Sequence, residues 1–285
     1  MISVFAPAKV NLSLHVVGRR PDGYHLLDSL VAFAGVGDTL EFTPAATLTL
    51  DVGGPTADLI PTAGENIVLK AARLLAEAAG VSAGAAIRLT KRLPVAAGIG
   101  GGSADAAATL KGLMQLWRVR LPDDRLRALA LAIGADVPVC LAGCPTRMSG
   151  IGEVLEAAPA LPPAWLVLAN PMVPLHTPPV FKARQGPFSA ADPLTLPPAD
   201  ARALAEALSV RRNDLTAAAV SIEPVVGEVL AALAAAPACL LARMSGSGAT
   251  CFGLFGAEAE ARAASTAIQT VRPGWWVAPA ELLGR

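Results

Sequence analysis

Apolar and polar residues alternate near the amino terminus of the chain. From residue 9 to residue 16 every second side chain is apolar, and the side chains between them are Lys9, Asn11, Ser13 and His15. A period of two is typical of a β-strand that has one face toward the core and one toward solvent. The pattern therefore predicts a half-buried strand with a polar face.

Other apolar runs predict the remaining elements of the first half of the chain. Runs bounded by turn-forming residues predict strands at 29–34, 39–43, 47–52 and 85–91. Apolar residues at helical spacing predict helices at 66–79, 103–117 and 122–133. Strands and helices are mixed without the regular alternation of a doubly wound sheet, which favours an α+β fold.

A second block begins near Ala164, where the run WLVLAN leads into a proline-rich stretch. It predicts helices at 199–208, 224–235 and 258–271, a strand pair at 240–244 and 249–255, and a short terminal strand. The Pro- and Ala-rich residues 185–200 indicate an exposed loop to which we assign no function. A length of 285 residues together with this break favours two domains.

Composition and charge exclude several classes of function. The chain has 23 basic and 23 acidic residues with no long block of either sign, which argues against a nucleic-acid surface. Hydrophobic residues make up 53%, but the uncharged apolar runs are shorter than the roughly 18–20 residues that span a bilayer. No signal peptide is recognisable, so we expect a soluble, cytoplasmic protein. The four cysteines lack CxxC spacing, and we expect them to be buried and reduced.

Four glycines fall within five residues, at Gly98 and at 100–102, immediately before a predicted helix. Glycine suits positions where the backbone takes a positive φ or comes close to a ligand. A helix that begins there offers free amides and the positive end of its dipole, which together bind phosphate. The alternative is a tight strand-to-helix turn without a ligand. The spacing fits neither the P-loop nor the dinucleotide fingerprint.

Ser103 follows the glycines directly. Its hydroxyl is suited to cap the helix, and it is also suited to contact a phosphate or a phosphate-bound Mg²⁺. The sequence alone does not decide between these roles.

If the glycine turn binds a phosphate group that reacts, a base and a cation are needed near it. Asp136 is a lone acid among apolar residues after a Gly-Ala turn, and it is the candidate base; its alternative role is to cap the segment that follows. Lys9, one of only five lysines, is the candidate cation; its alternative is a surface lysine that packs its stem on the protein. Tyr24, the only tyrosine, precedes His25 and suits a stacked base, or else a packing pair within a loop.

The stretch PVAAGIGGGSADA, which begins at Pro94, fits P-x-x-x-G-[LI]-G-G-G-S-[SA]-[ND]-A. It resembles the phosphate loop of the GHMP kinases, the small-molecule kinases named for galactose, homoserine, mevalonate and phosphomevalonate. Other stretches resemble one branch of that family in the same order along the chain: APAKVNLSLHVVGRRPDGYHLLDSL, ENIVLKAARLL, GADVPVCL, PLHTPPVF, RNDL and RMSGSGA. The resemblance covers nearly the whole length.

The resemblance implies a two-domain GHMP kinase fold of the α+β class. We expect an amino-terminal ATP-binding domain at 1–160, of the ribosomal protein S5 domain 2-like type, with the phosphate loop. We expect a carboxy-terminal ferredoxin-like domain at 161–285 and an active site in the cleft between the two. The implied reaction is ATP-dependent phosphorylation of the 2-hydroxyl of a methylerythritol linked to cytidine diphosphate, a step of the non-mevalonate route to isoprenoids.

The resemblance also implies cofactors, partners and site residues. ATP with Mg²⁺ is the expected cofactor, the partner is a small molecule rather than nucleic acid or membrane, and the protein is a monomer or homodimer. Asp136 is the implied base and Lys9 its electrostatic companion, while Ser103 is the candidate ligand of Mg²⁺. The implied substrate residues are Asn11, Tyr24, His25, Thr177 and Phe181, with cytosine between the two aromatic rings and read by His25. The implied ATP-binding residues are Asn66, Ile67, Val68, Pro94, Val95, Ala96, Ala97, Gly98, Ile99, Gly100, Gly101, Gly102, Ser103 and Ala104.

Several points stay open at the level of sequence. Residues 66–68 also suit a helix cap and core, and the second glycine motif, MSGSGA, suits structural support as well as ligand contact. Ala96, Ala97 and Ala104 depart from residues seen in relatives, and the first two matter more because alanine tolerates fewer backbone conformations than glycine. The rival functions are another GHMP kinase, of homoserine or mevalonate type, and a nucleotide-binding sensor without catalysis.

Overall fold

The protein is described here from a computed structural model, which covers residues 1–60 and 65–284. Two long strands begin the fold, β1 (Ile2–Arg19) and β2 (His25–Ala45), and they pair with each other. The described residues separate into two compact units, and each long strand contributes to both. None of the helices in the described parts of the chain is long and apolar enough to cross a membrane.

The first unit contains residues 1–8, 37–95 and 100–143. In its sheet, β3 (Leu48–Gly53) runs parallel to β4 (Gly84–Thr90), and β4 pairs antiparallel with the end of β2. Its helices are α1 (Ile67–Ala79), α2 (Gly101–Trp117), α3 (Asp123–Ile133) and α4 (Val137–Ala142). Helix α2 packs against α1 and α4, and its residues 104–110 are all buried. The helix that follows the glycines is therefore packed into the core of this unit.

The second unit contains residues 9–36, 96–99 and the chain from 144 onward. A hairpin of β5 (Thr146–Gly150) and β6 (Val154–Ala157) pairs antiparallel with the first part of β2. The other strands are β7 (Trp165–Asn170), β8 (Leu241–Met244), β9 (Cys251–Phe255) and β10 (Trp276–Leu283). The helices are α5 (Thr177–Ala183), α6 (Ala201–Ser209), α7 (Thr216–Ile222), α8 (Val225–Ala234) and α9 (Glu258–Val271).

The last four strands form an antiparallel sheet in the order β10-β7-β9-β8. Helices cross over between β7 and β8 and between β9 and β10, and α8 and α9 pack against the strands. This order is that of a ferredoxin-like split βαβ unit. The ferredoxin-like prediction for the carboxy-terminal part is confirmed.

The strand predicted at 9–16 is present, but the expectation of an exposed polar face is wrong. Lys9, Asn11, Ser13 and His15 are each at most 5% exposed, and the apolar residues between them are buried too. The polar face is buried because it is hydrogen-bonded: Asn11 donates to Ser29 Oγ, and His15 Nε2 accepts from the amide of Arg212. Buried polar groups of this kind need such partners.

The strands predicted at 29–34 and 39–43 are one continuous strand, β2. Gly37, which lies between the two predicted strands, serves close packing within β2. A Cβ built onto Gly37 would lie 2.2 Å from the carbonyl oxygen of Ala6 in the same unit. The expectation that all four cysteines are buried is also wrong, because Cys144 is exposed; Cys140 and Cys251 are buried, and all four are free.

Candidate active site

Residues 94–104, which we call the phosphate loop after the motif that they resemble, combine left-handed backbone with a helix start. Gly98 and Gly100 have φ of +74° and +62°, and Ala96 has φ of +52°. Helix α2 begins at Gly101, with Gly100 as its N-cap. Glycine reaches this conformation without the steric cost that a side chain carries, so the sequence places glycine where the turn needs it.

The first turn of α2 presents backbone amides that have no acceptor within the helix. The amide of Ala104 donates to the carbonyl of Gly100 at 2.8 Å, so the intrahelical bonds start there. The amides of Gly101, Gly102 and Ser103 precede this first bond, and Gly102 is exposed. These amides and the helix dipole can bind a phosphate group.

Ser103 is not the cap of α2, which corrects the first of its two suggested roles. It is the third residue of the helix, and the N-cap is Gly100, which has no side chain to cap with. The helix begins earlier than predicted because Gly101 and Gly102 adopt helical backbone. The Ser103 hydroxyl, which is half-buried in the first turn, keeps its suggested role as a phosphate or metal contact.

The second glycine motif packs against Gly98 within the second unit. A Cβ on Gly98 would lie 2.5 Å from the carbonyl oxygen of Ser245 and 2.6 Å from that of Gly248. Ser245 Oγ donates to the carbonyl of Gly98 at 3.0 Å, and the amide of Thr250 donates to the carbonyl of Ala97. Glycine is required at position 98 by this close approach as well as by its φ. The motif thus supports the phosphate loop directly.

Lys9 lies on β1 next to the same loop. Its amide donates to the carbonyl of Ile99 at 2.9 Å, and its Nζ donates to Asn11 Oδ1 at 2.8 Å. The side chain is 4% exposed, so the alternative of a surface lysine is wrong. The amide of Asn11 also donates to Ser245 Oγ at 3.0 Å. A buried ammonium is therefore held by β1 beside residues 96–99.

Asp136 lies in the first unit at the N-cap position of α4, and it is half-buried. Its side chain makes no cap hydrogen bond, so capping does not account for it. Lys9 and Asp136 belong to different units, and their pairing stays a prediction.

The aromatic residues of the proposed substrate pocket lie in the second unit. The rings of His25 and Phe181 are 5.1 Å apart and tilted by 31°, which is within the range of aromatic contact. Tyr24 is 60% exposed at the adjacent turn. Burial and the nearby charges of Arg19 and Arg184 lower the pKa of His25. A neutral imidazole offers one donor and one acceptor, which suits the edge of a base.

Thr177 is the first residue of α5, and its Oγ1 lies 2.9 Å from Ser247 Oγ of the second glycine motif. In the first unit, Asn66 caps α1 by accepting the amide of Val68 at 2.9 Å, and Val68 is fully buried. Ile67 Cγ2 would lie 3.7 Å from a Cβ on Gly102, so α1 begins close to the phosphate loop. Adenine contact by these residues stays a prediction.

Sequence reasoning missed two groups that surround the loop. Asn213 of the RNDL stretch donates from Nδ2 to the carbonyls of Met244 and Gly246, both at 2.8 Å, and so fixes the second glycine motif. Lys91 forms a buried cluster with Asp38 and Asp105. Burial raises the pKa of Asp105 to about 7, with Lys91 opposing and Asp38 adding to the shift. The available signals were the rarity of lysine and the acid inside the glycine motif.

Known proteins are similar to this chain over nearly its whole length. The model for the GHMP kinases N terminal domain matches residues 66–144, and the model for GHMP kinases C terminal matches residues 197–272. The 4-diphosphocytidyl-2-C-methyl-D-erythritol kinase of Paramagnetospirillum magneticum is 75% identical, over 99% of this chain and 98% of that protein. The protein of the same name from Rhodospirillum rubrum is 57% identical, over 98% and 92%.

Solved structures show the same fold. A crystal structure of a 4-(cytidine 5'-diphospho)-2C-methyl-D-erythritol kinase superposes with a TM-score of 0.81 and 35% identity, covering both chains fully. A homoserine kinase from Cytophaga hutchinsonii superposes with a TM-score of 0.74 and 19% identity, covering 100% of this chain and 95% of its own. The second likeness concerns the fold alone.

Proposed function

This chain belongs to the GHMP kinase family, and from that premise we propose that it transfers the γ-phosphate of ATP to the 2-hydroxyl of 4-diphosphocytidyl-2-C-methyl-D-erythritol. The observation that carries the proposal is the full-length similarity to kinases of that name, at 75% and 57% identity. The glycine-rich start of α2, whose first amides precede the intrahelical bonds, is the local geometry that this reaction needs. The product is the phosphorylated alcohol, which is then used in isoprenoid biosynthesis.

We propose that the amides at the start of α2 bind the ATP phosphates. The free amides of residues 101–103 and the helix dipole offset the charge of the triphosphate without any change in protonation. The flanking residues 94–100 and Ala104 shape the turn, and residues 66–68 at the start of α1 lie beside it. Because the loop is fixed by backbone contacts before ATP arrives, little ordering entropy is lost on binding.

Mg²⁺ is proposed to arrive with the triphosphate, whose charge it neutralises. The Ser103 hydroxyl is an oxygen donor of the kind that Mg²⁺ accepts, and its place in the first turn of α2 suits this role.

The proposed proton acceptor for the alcohol is Asp136, with Lys9 as the cation that orients and offsets charge. The position of the Lys9 ammonium supports this, since it is buried and held 2.8 Å from Asn11 Oδ1. A buried ammonium is well suited to stabilise negative charge that develops during transfer. Asn11 is thereby proposed to position Lys9 as well as to contact the substrate.

The proposed cytosine site consists of Tyr24, His25 and Phe181, with Thr177 nearby. Phe181 is already in ring contact with His25, and Tyr24, next to His25 in the chain, is exposed, so its ring is accessible to a base. A stacking platform beside a neutral imidazole suits a pyrimidine.

The division into domains at residue 160 stays a proposal, supported by the two family-model matches that fall on either side of it. The cytoplasmic location and the choice between monomer and homodimer also stay predictions.

The experiment that tests the function is an ADP-release assay with a panel of alcohols. We expect turnover with the cytidylyl methylerythritol and a loss of at least ~10²-fold in kcat/KM for methylerythritol 4-phosphate, homoserine and mevalonate, because base contacts supply binding energy that the others lack. Equal turnover of homoserine or mevalonate would favour another kinase of the family. No ADP release with any alcohol, together with ATP binding, would favour the sensor.

A further inference from the structure

Lys91 lies immediately after β4 and is 3% exposed. Its Nζ lies 2.6 Å from Asp38 Oδ2 and 2.6 Å from Asp105 Oδ2. Burial alone would lower the pKa of Lys91, but the carboxylates of Asp105 and Asp38 outweigh it and raise that pKa. The ammonium therefore stays charged and bridges two carboxylates that come from different elements.

Asp38 connects this cluster to the chain that enters the phosphate loop. Its Oδ1 accepts the amides of Arg92 at 2.5 Å and Leu93 at 2.9 Å, while its Oδ2 accepts from Lys91. Residues 92 and 93 directly precede Pro94, the first residue of the loop. The entrance to the loop is thus fixed to β2 by one fully buried carboxylate.

Asp105 connects the cluster to the other end of the loop. It is the fifth residue of α2, one helical turn after Gly101, so the two lie on the same face of the helix. A Cβ on Gly101 would lie 3.3 Å from Lys91 Nζ. The ammonium therefore sits directly below the first turn of α2, the turn whose amides are free.

Burying an ammonium together with two carboxyl groups is an expensive way to stabilise a fold. Replacing a buried ionic cluster with packed apolar residues is often neutral or stabilising, so such a cluster is weak evidence for stability alone. Among the described residues Asp105 Oδ1 has no hydrogen-bond partner, which adds to the cost. This arrangement joins the two ends of the loop by directional hydrogen bonds, which an apolar contact does not provide.

Building on the proposed function, we propose that Lys91 is a positioning residue for ATP: through Asp38 and Asp105 it holds the two ends of the phosphate loop in the phosphate-binding geometry. The seven residues from 94 to 100 span the gap between the two anchored ends. If the contacts of Lys91 with Asp38 and Asp105 are lost, these residues gain conformations in which the amides of α2 no longer converge on one phosphate. The affinity for ATP is then reduced and the affinity for the alcohol is not, because the cluster of Lys91, Asp38 and Asp105 contacts only the loop.

The test compares Lys91→Met and Lys91→Met/Asp105→Asn with the wild-type chain. Calorimetric titration with the non-hydrolysable ATP analogue AMP-PNP is expected to show ~10-fold weaker binding in both, because misplacing a binding loop by about 1 Å costs factors of this order or more. KM for ATP rises by a similar factor, and KM for the cytidylyl alcohol changes less than ~2-fold. The double variant leaves only Asp38, with its two backbone donors, and so covers the case in which the single variant does not fold.

Two controls separate positioning from stability. Arg88→Gln breaks the exposed pair of Arg88 and Asp51 in the same unit, and we expect it to leave both affinities unchanged. Leu75→Ala opens a cavity at a fully buried position of α1 and lowers thermal stability, and below its melting temperature we expect it to bind AMP-PNP as the wild type does.

Wild-type affinity for AMP-PNP in a folded double variant would overturn the inference. Equal losses for ATP and alcohol, or a matching loss in Leu75→Ala, would also overturn it, since both indicate general destabilisation. Failure of the proposed function is distinguishable, because it appears in the wild type as absent alcohol phosphorylation while the AMP-PNP comparison still stands.

Discussion

Asp136 is the residue on which the proposed proton transfer depends. Asp136→Asn keeps the size and polarity of the side chain and removes its basicity, so kcat is expected to fall by ~10²–10⁴-fold. The affinities for AMP-PNP and for the alcohol stay within a few-fold of wild type, as titration of each ligand will show. Asp124→Asn, an exposed acid in α3 of the same unit, is the matched control. Near-normal turnover of Asp136→Asn would remove this residue as the base.

Tyr24 is expected to stack on the cytosine ring. Tyr24→Ala should weaken binding of the cytidylyl alcohol by ~1–3 kcal/mol, the range for a lost stacked base, and leave AMP-PNP affinity alone. Tyr24→Phe keeps the ring and should bind nearly as the wild type does. Parallel losses for both ligands would contradict the assignment.

His15 predicts a dependence of stability on pH. Burial lowers its pKa below 6.5, although Asp214 and Asp28 oppose the shift. Between the two pKa values the unfolded chain binds the proton and the folded protein does not, so the free energy of unfolding rises with pH up to 6.5. Acid removes this contribution, because protonated Nε2 can no longer accept the amide of Arg212.

The measurement is urea unfolding at pH 7.5 and pH 5.5. Wild type should lose more stability on acidification than His15→Gln, which keeps an acceptor and does not titrate. His176→Gln, at an exposed position, is the control and should behave as wild type. Equal losses in wild type and His15→Gln would show that His15 does not contribute.

The sequence identified individual candidate residues, but it did not identify the residues with which they interact. Lys9 was identifiable as a rare lysine on a strand, but its contact with a residue far along the chain, the hydrogen bond from its amide to the carbonyl of Ile99, was not. Lys91 is as rare, but its carboxylate partners are 53 and 14 positions away, and no local spacing connects the three.

The elements follow sequence most closely where a local rule applies. Asn66 caps α1 and Gly80 ends it in left-handed backbone, and the predicted bounds agree within a residue. The rule failed for β2, where Gly37 serves packing rather than a turn, and for short elements such as α4 and α7, which have too few residues to show a period. The long elements can therefore be predicted from local sequence pattern, whereas the bounds of the others depend on tertiary contacts.

Ala96 provides a prediction for the loop as an element. Its φ of +52° costs an L-residue about 1–2 kcal/mol, and glycine there would lose about 0.5–1 kcal/mol through entropy of the unfolded chain. Ala96→Gly is therefore expected to raise the free energy of unfolding by about 0.5 kcal/mol, measured by urea unfolding. Ala97→Gly is the matched control, because Ala97 is not among the positive-φ residues and glycine there should destabilise. A lower stability for Ala96→Gly would contradict the backbone argument.

The overall fold could be predicted from the family resemblance, but much less from the pattern of apolar and polar residues. The order β10-β7-β9-β8 pairs strands that are far apart in sequence, and nothing in the periodicity of any one strand specifies it. The same holds for the approach of the second glycine motif to Gly98, which lies about half the chain away. Matches to ordered motifs along the chain supplied this information because they reflect the fold as a unit.

The central claim is that the main chain at the start of α2 binds the triphosphate of ATP. A crystal structure of the protein with AMP-PNP and the cytidylyl alcohol tests it most directly. We expect phosphate oxygens within hydrogen-bond distance of the amides of residues 101–103, and the cytosine ring on Phe181 beside His25. A triphosphate bound away from these amides would contradict the account.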